Sequence, residues 1–269
     1  MDGATYTELR NFVVALGLTQ PRILALMIVL PMFARQTMPG LLRFGVAAGL
    51  GLVAAPMLLP ELSRMPEGFG LVMLLFKEAA LGFLLGFLIA IPFWSFEAVG
   101  FFIDNQRGAS ISATLNPLTG NDSSPLGLLF NQAFIVFVFA SGVFLLILGL
   151  LYGSFRIWPV MTWTPTLERA MAADWLMQLD GLVKVAVLLA APAIVAMFLA
   201  EVGLALVSRF VPQLQVFFLA MPIKSGVALL VLVLYMATLF DYAQHELNLH
   251  FDSIVPFLSR TVAPSEVSR

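Results

Sequence analysis

Cysteine is absent from the 269 residues, which removes disulfides, thiolate nucleophiles and Cys-ligated metals or clusters without fixing the redox compartment. Charge is scarce too. Only 11% of the residues are Asp, Glu, Lys or Arg, and 14 basic against 16 acidic side chains leave a formal net charge of -2 with no basic tract. Phosphate binding needs clustered Lys and Arg, so nucleic acid is excluded as a partner. Catalytic patterns are equally thin. There is no GxxxxGK[ST] loop for nucleotide, no DxxD for magnesium–diphosphate chemistry, and no GxSxG around Ser141–Gly142. His245 and His250 are five apart, about 140° round a helix, where a zincin pair needs a spacing of four. The chain is therefore read as a non-enzyme with no metal and no cofactor. The acidic start, MDGATYTELRNF, lacks the basic region of a signal peptide, and the first apolar run is expected to be retained.

What the chain has in excess is apolar length. It is 60% hydrophobic, with a mean hydropathy of +0.96, beyond what a soluble domain of this size carries. Its apolar runs are long and uninterrupted, which excludes the short alternating strands of a β-barrel. The fold class that follows is all-α, a polytopic helical membrane protein with about six long hydrophobic helices. The expected segments are 12–33, interrupted at Pro21–Arg22; 41–59, with Gly45 and Gly49 at a close-packing spacing; and 71–93, with Gly82 and Gly86 at GxxxG spacing and a kinking Pro92. A single run over 126–152 follows, then a loop over 153–181 whose Trp158, Trp163 and Trp175 fit an interfacial belt. A hairpin of 182–211 and 216–242 turns at Pro212 and Pro222, and the tail from Asp241 is expected to be solvated. Lys and Arg are too evenly distributed between alternate loops to set an orientation.

One stretch breaks the apolar pattern, WSFEAVGFFIDNQRGASISATLNPLTGNDSSP from Trp94 to Pro125. Its first part reads as a helix on which Glu97, Phe101, Asp104 and Gly108 share a side, with Arg107 in ion-pair reach of Asp104. From Gly108 the composition turns to small hydroxyl and amide residues with Pro and Gly, and predicts a long loop. Irregular backbone at membrane depth is tolerated only where protein buries it or water lines it, so this loop reads as a plug, with an ordinary exposed loop as the alternative. Charges inside apolar segments cost about 2.5–3.5 kcal/mol each at a helix centre and need partners or water. Glu97, Asp104 and Arg107, which precede the long polar loop on one helix face, are read as functional, and Glu201 and Lys224 are further charges of the same kind. Lys77, Glu78 and Arg209 are balanced between such a role and snorkelling at span ends.

The run from Lys77 to Ser110, with its I-D-x-Q-R-G signature at Ile103–Gly108, resembles the T subunit of the type III secretion export apparatus, often written SctT, whose flagellar counterpart is FliR. Asn116–Pro117 and MPIKSG at Met221–Gly226 are similar to the same pattern. The resemblance implies a single-copy subunit of a helical hetero-oligomeric export gate in the bacterial inner membrane, partly raised to the periplasmic side. The implied partners are R and S subunits, a U-type switch subunit and inner rod or needle proteins, with unfolded secreted proteins as cargo. Residues 1–181 would be R-like and 182–269 an S-like hairpin with a polar tail. The implied plug covers about 107–124, with Gly108, Ala109, Ser110, Ile111, Ser112, Ala113, Thr114, Leu115, Asn116, Pro117, Leu118, Thr119 and Gly120 as gating residues. Glu97, Asp104, Arg107, Glu201 and Lys224 would make inter-subunit or intra-gate ion pairs. The rival reading is a secondary transporter or channel whose Glu97, Asp104 and Glu201 form a midplane proton or cation site.

Overall fold

The computed structural model describes residues 3–34, 37–108, 124–163, 170–210 and 216–260, and among them every regular element is a helix. In chain order these are α1 (Gly3–Val29), α2 (Gly40–Leu58), α3 (Phe69–Arg107), α4 (Pro125–Ala140), α5 (Val143–Ile157), α6 (Ala170–Phe210) and α7 (Val216–Arg260), with short 3-10 turns at Pro31–Phe33 and Leu59–Arg64. Helices are what such a sequence must form, because a backbone without water satisfies its N–H and C=O groups within the segment. Among the described residues five helices are long and apolar enough to cross a membrane, or up to six spans if the bent pair α4–α5 counts as one. The all-α, multi-span expectation holds.

The described residues form two compact units. One takes residues from Met1–Ala90, Val138–Asp174 and His250–Arg269, the other from Ile91–Phe137 and Trp175–Leu249. In the first, α1 packs on α2, where Gly51 lies against Leu16, Thr19 and Gln20. The GxxxG pair of α3 also lies against α1. A Cβ at Gly82 would run into the Arg22 backbone carbonyl, and one at Gly86 would meet the Leu26 backbone at 3.0 Å. Hydrogen at these two positions is what lets the helix backbones touch. In the second unit, Phe134 stacks on Phe96 at 4.2 Å between centroids and meets Phe93 edge-on at 4.9 Å, while Phe137 lies 5.1 Å from Phe240. Aromatic pairs of this kind contribute about 0.5–1.5 kcal/mol each beyond their area burial.

Several boundaries differ from the sequence expectation. The segments read as 71–93 and as a separate polar-striped helix are one 39-residue helix, α3, with Pro92 inside it. The run read as continuous over 126–152 breaks at Ser141–Gly142 by 80°. Gly142 there adopts φ 79°, a left-handed conformation that lacks a Cβ penalty only for glycine. A Cβ at Gly45 or Gly49 would meet nothing within 4 Å, so the close packing expected of them is not made among the described residues. Residues 241–260 of the expected solvated tail instead continue α7, with Ala243, Leu247, Phe251, Ile254 and Leu258 buried, and 261–269 lie outside the described residues. Pro222 lies within α7 and not in a turn, whereas Pro212 is outside the described residues. Of the three tryptophans expected at an interface, Trp158 is buried, Trp163 is exposed, and the Trp175 side chain is outside the described ones.

Candidate functional site

The candidate site is built where α3 ends and α4 begins. Arg107 is the last residue of α3, and Gly108 follows at φ 86°, the left-handed stop that ends helices at low cost when the residue is glycine. Residues 109–123 lie outside the described residues, and with them all the positions from Ala109 to Gly120 expected to gate. The chain is described again at Ser124, which caps α4: its hydroxyl accepts from the Gly127 N–H at 2.8 Å, and Pro125 takes the first helical position, where no N–H is needed.

Asp104 joins the two ends. One carboxylate oxygen accepts from Arg107 Nε at 2.7 Å, and the other accepts from the Ser124 hydroxyl at 2.5 Å and the Leu126 N–H at 2.9 Å. The carboxylate therefore closes the base of the segment 109–123 from both sides, and it does so buried. A negative group is favoured here because the first N–H groups of α4 have no partner within their own helix and carry its positive dipole end. Below the clamp the helices meet backbone to backbone. A Cβ at Gly100 would collide with the Leu126 and Gly127 backbone, so the two helices approach there at a distance only glycine allows. Further back along α3, Glu97 accepts from Asn131 Nδ2 of α4 at 3.0 Å.

The remaining predicted residues lie beside this helix end. A cleft of about 370 Å³ is lined by Asn105, Gln106, Arg107, Gly108, Glu201, Ser208 and Lys224 among others. Across it Lys224 Nζ of α7 donates to Glu201 of α6 at 3.2 Å, with Glu201 about half exposed (49%). An exposed pair of this kind contributes little to stability, about 0–1 kcal/mol. In this single chain, then, Asp104 pairs with Arg107, Glu201 with Lys224, and Glu97 with an amide. Arg209 stands exposed in the last turn of α6.

A second polar centre joins Glu78 to Arg22, which sequence reasoning does not single out as a site. Arg22 of α1 is fully buried; its Nε donates to Glu78 of α3 at 2.7 Å, and its other nitrogens donate to the Ser154 hydroxyl at 3.2 Å and the Trp158 carbonyl at 2.8 Å. The guanidinium also lies 4.2 Å from the Phe155 ring centroid. Glu78 is fully buried, so snorkelling does not describe it. The signal available in the sequence is an arginine next to a proline inside an apolar run, which reads first as an interruption. Its partner is 56 positions away, and no local spacing rule connects the two.

Comparison with known proteins agrees over most of the chain. Residues 13–249 match the family described as "Bacterial export proteins, family 1". The chain is 41% identical to Yop proteins translocation protein T of Yersinia pestis over 244 residues, covering 89% of this chain and 94% of that protein. It is 31% identical to the secretion system apparatus protein SsaT of Salmonella typhimurium, covering 93% and 96%. Flagellar biosynthetic protein FliR of Bacillus subtilis is 27% identical, covering 87% and 90%.

Proposed function

Since the chain belongs to the bacterial export proteins of family 1, with type III secretion and flagellar relatives, we propose that it is the T subunit of a type III secretion export gate, working with R- and S-type subunits in the bacterial inner membrane. That it is a multi-pass protein of an export apparatus follows from the family and the apolar helices. The finer reading is the gate.

The observation that carries it is helix length. At 1.5 Å per residue, α3, α6 and α7 are about 58, 62 and 68 Å long, roughly twice the ~30 Å hydrocarbon core. α6 and α7 remain apolar and widely exposed along much of that length, and α3 is so in its first turns, with Phe69, Phe76, Leu199, Phe210 and Leu234 among the uncovered side chains. Apolar surface that extends beyond a bilayer requires other protein to cover it. Neighbouring subunits are that cover, and a gate partly raised to the periplasmic side accommodates them. In this reading residues 1–181 are the R-like part and 182–269 the S-like hairpin. A U-type switch subunit and inner rod or needle proteins are further partners, and unfolded secreted proteins are the cargo.

Within the gate, the segment between Gly108 and Ser124 serves as a plug, displaced when cargo or a needle subunit arrives. The clamp at Asp104 supports this role, because it anchors both ends of a segment that is itself long and nearly uncharged. The half-exposed Glu201 is the group suited to exchange Lys224 for a cation on a neighbouring subunit. The same pairing disfavours a midplane cation site, since Asp104 and Glu201 already face Arg107 and Lys224. Co-expression with R- and S-type subunits tests the assembly: the chain is expected to purify in a stable complex with both. A solute-binding chain that purifies alone and stays monomeric overturns the reading.

A further inference from the structure

In the first unit, Lys77 of α3 is partly buried and reaches the turn that follows α5. Its Nζ lies 2.6 Å from the Val160 carbonyl oxygen, 2.7 Å from that of Thr162 and 3.4 Å from that of Pro159. A Glu78 oxygen stands 2.9 Å away, in charge contact and not in an aligned hydrogen bond. Four oxygens on one small cation, three of them backbone carbonyls, is the shell with which proteins replace the water of a monovalent ion.

We propose that the carbonyls of Pro159, Val160 and Thr162, with the Glu78 carboxylate, form a monovalent-cation cage whose resident is the chain's own Lys77 ammonium, and that this tethered cation positions the turn presenting Trp163. The surroundings support the assignment. Arg22 and Lys77 share the carboxylate of Glu78, and Glu61 is a further negative group acting on Lys77. The carbonyls that meet the two cations follow α5: Arg22 takes that of Trp158, the residue that caps the helix, and Lys77 takes those of Val160 and Thr162 in the turn beyond it. Two cations from α1 and α3 thus hold the exit of α5, and Trp163, 63% exposed, stands on the fixed end of the turn.

The test uses the full chain in its export complex. Lys77→Ala empties the cage, and its thermal midpoint is compared in ammonium, potassium and tetramethylammonium chloride at equal ionic strength. Ammonium and potassium are small enough for the cage and tetramethylammonium is not. The midpoint of Lys77→Ala is expected to fall by several degrees in tetramethylammonium and to recover at least half of that loss in ammonium, with the wild type indifferent to the exchange. An equal loss in all three salts overturns the cage. Lys77→Met, which fills the space without a charge, decides the matter if Lys77→Ala does not fold. Its amides at 160–163 are expected to exchange hydrogen at least about tenfold faster than in wild type, with no rescue by any salt. Unchanged exchange in Lys77→Met overturns the proposal.

Discussion

Glu78→Ala is expected to cost about 3–5 kcal/mol of folding free energy, the range for removing one partner of a buried ion pair and leaving the other uncompensated. Arg22 cannot escape to water in the variant: it is fully buried, and Gly82 holds its backbone against α3. Lys77 loses the same carboxylate in the same step. A domain with about 5–15 kcal/mol to lose, as is typical, would be left marginal, so the level of the chain in the membrane should fall with the thermal midpoint. The double variant Arg22→Met, Glu78→Leu is expected to recover much of the loss, because apolar side chains of similar volume often replace a buried pair without penalty. The check is thermal unfolding of the purified complex. A Glu78→Ala midpoint equal to that of wild type would show that these charges are hydrated and not held in a dry core.

Asp104→Ala should act on gating with little effect on the fold. Three donors, from Arg107, Ser124 and Leu126, lose their acceptor at once. Hydrogen bonds to a charged group contribute about 1.5–3 kcal/mol each, and the values are not additive within one network. Even a single such bond exceeds the roughly 1.4 kcal/mol that corresponds to tenfold in an equilibrium constant. The closed arrangement of the proposed plug is therefore expected to lose at least about tenfold in population relative to open ones, seen as passive ion flux in cells that carry the assembled apparatus. Asp104→Asn keeps an acceptor but no charge, and its flux should fall between those of wild type and Asp104→Ala. The clamp is not needed by the α3–α4 contact at Gly100, so the amount of assembled complex should change little. Flux at the wild-type level in Asp104→Ala would separate this carboxylate from gating.

The legible parts of this protein are those set by local chemistry. The stop at Gly108 can be read because polar, Gly- and Pro-containing sequence follows an apolar helix, and the Asp104–Arg107 geometry because a spacing of three on a helix brings side chains together. The break at Gly142 is not legible. Glycine is tolerated within apolar helices, where it often serves close packing, so Ser141–Gly142 in an apolar run gives no sign of an 80° bend. The extension of α7 does leave a trace: Ala243, Leu247, Phe251, Ile254 and Leu258 recur at helical spacing, but within a segment whose overall polarity points to solvent. Arg22 illustrates the remaining difficulty. A buried charge states that a partner exists, but which residue it is depends on how α1 and α3 pack, and the glycines that permit that packing carry no charge signal at all. Ser124 reads by composition only as the end of a loop, although Ser-Pro before an apolar run is a helix start with its cap and first residue in place.

The central claim, that the segment between α3 and α4 blocks an export pore, is tested most directly by shortening it between Ser110 and Gly120 and measuring ion conductance across the inner membrane with the complex assembled. Conductance well above that of the wild type, with R- and S-type subunits still co-purifying, is the result the account predicts. Normal assembly with conductance unchanged would contradict it.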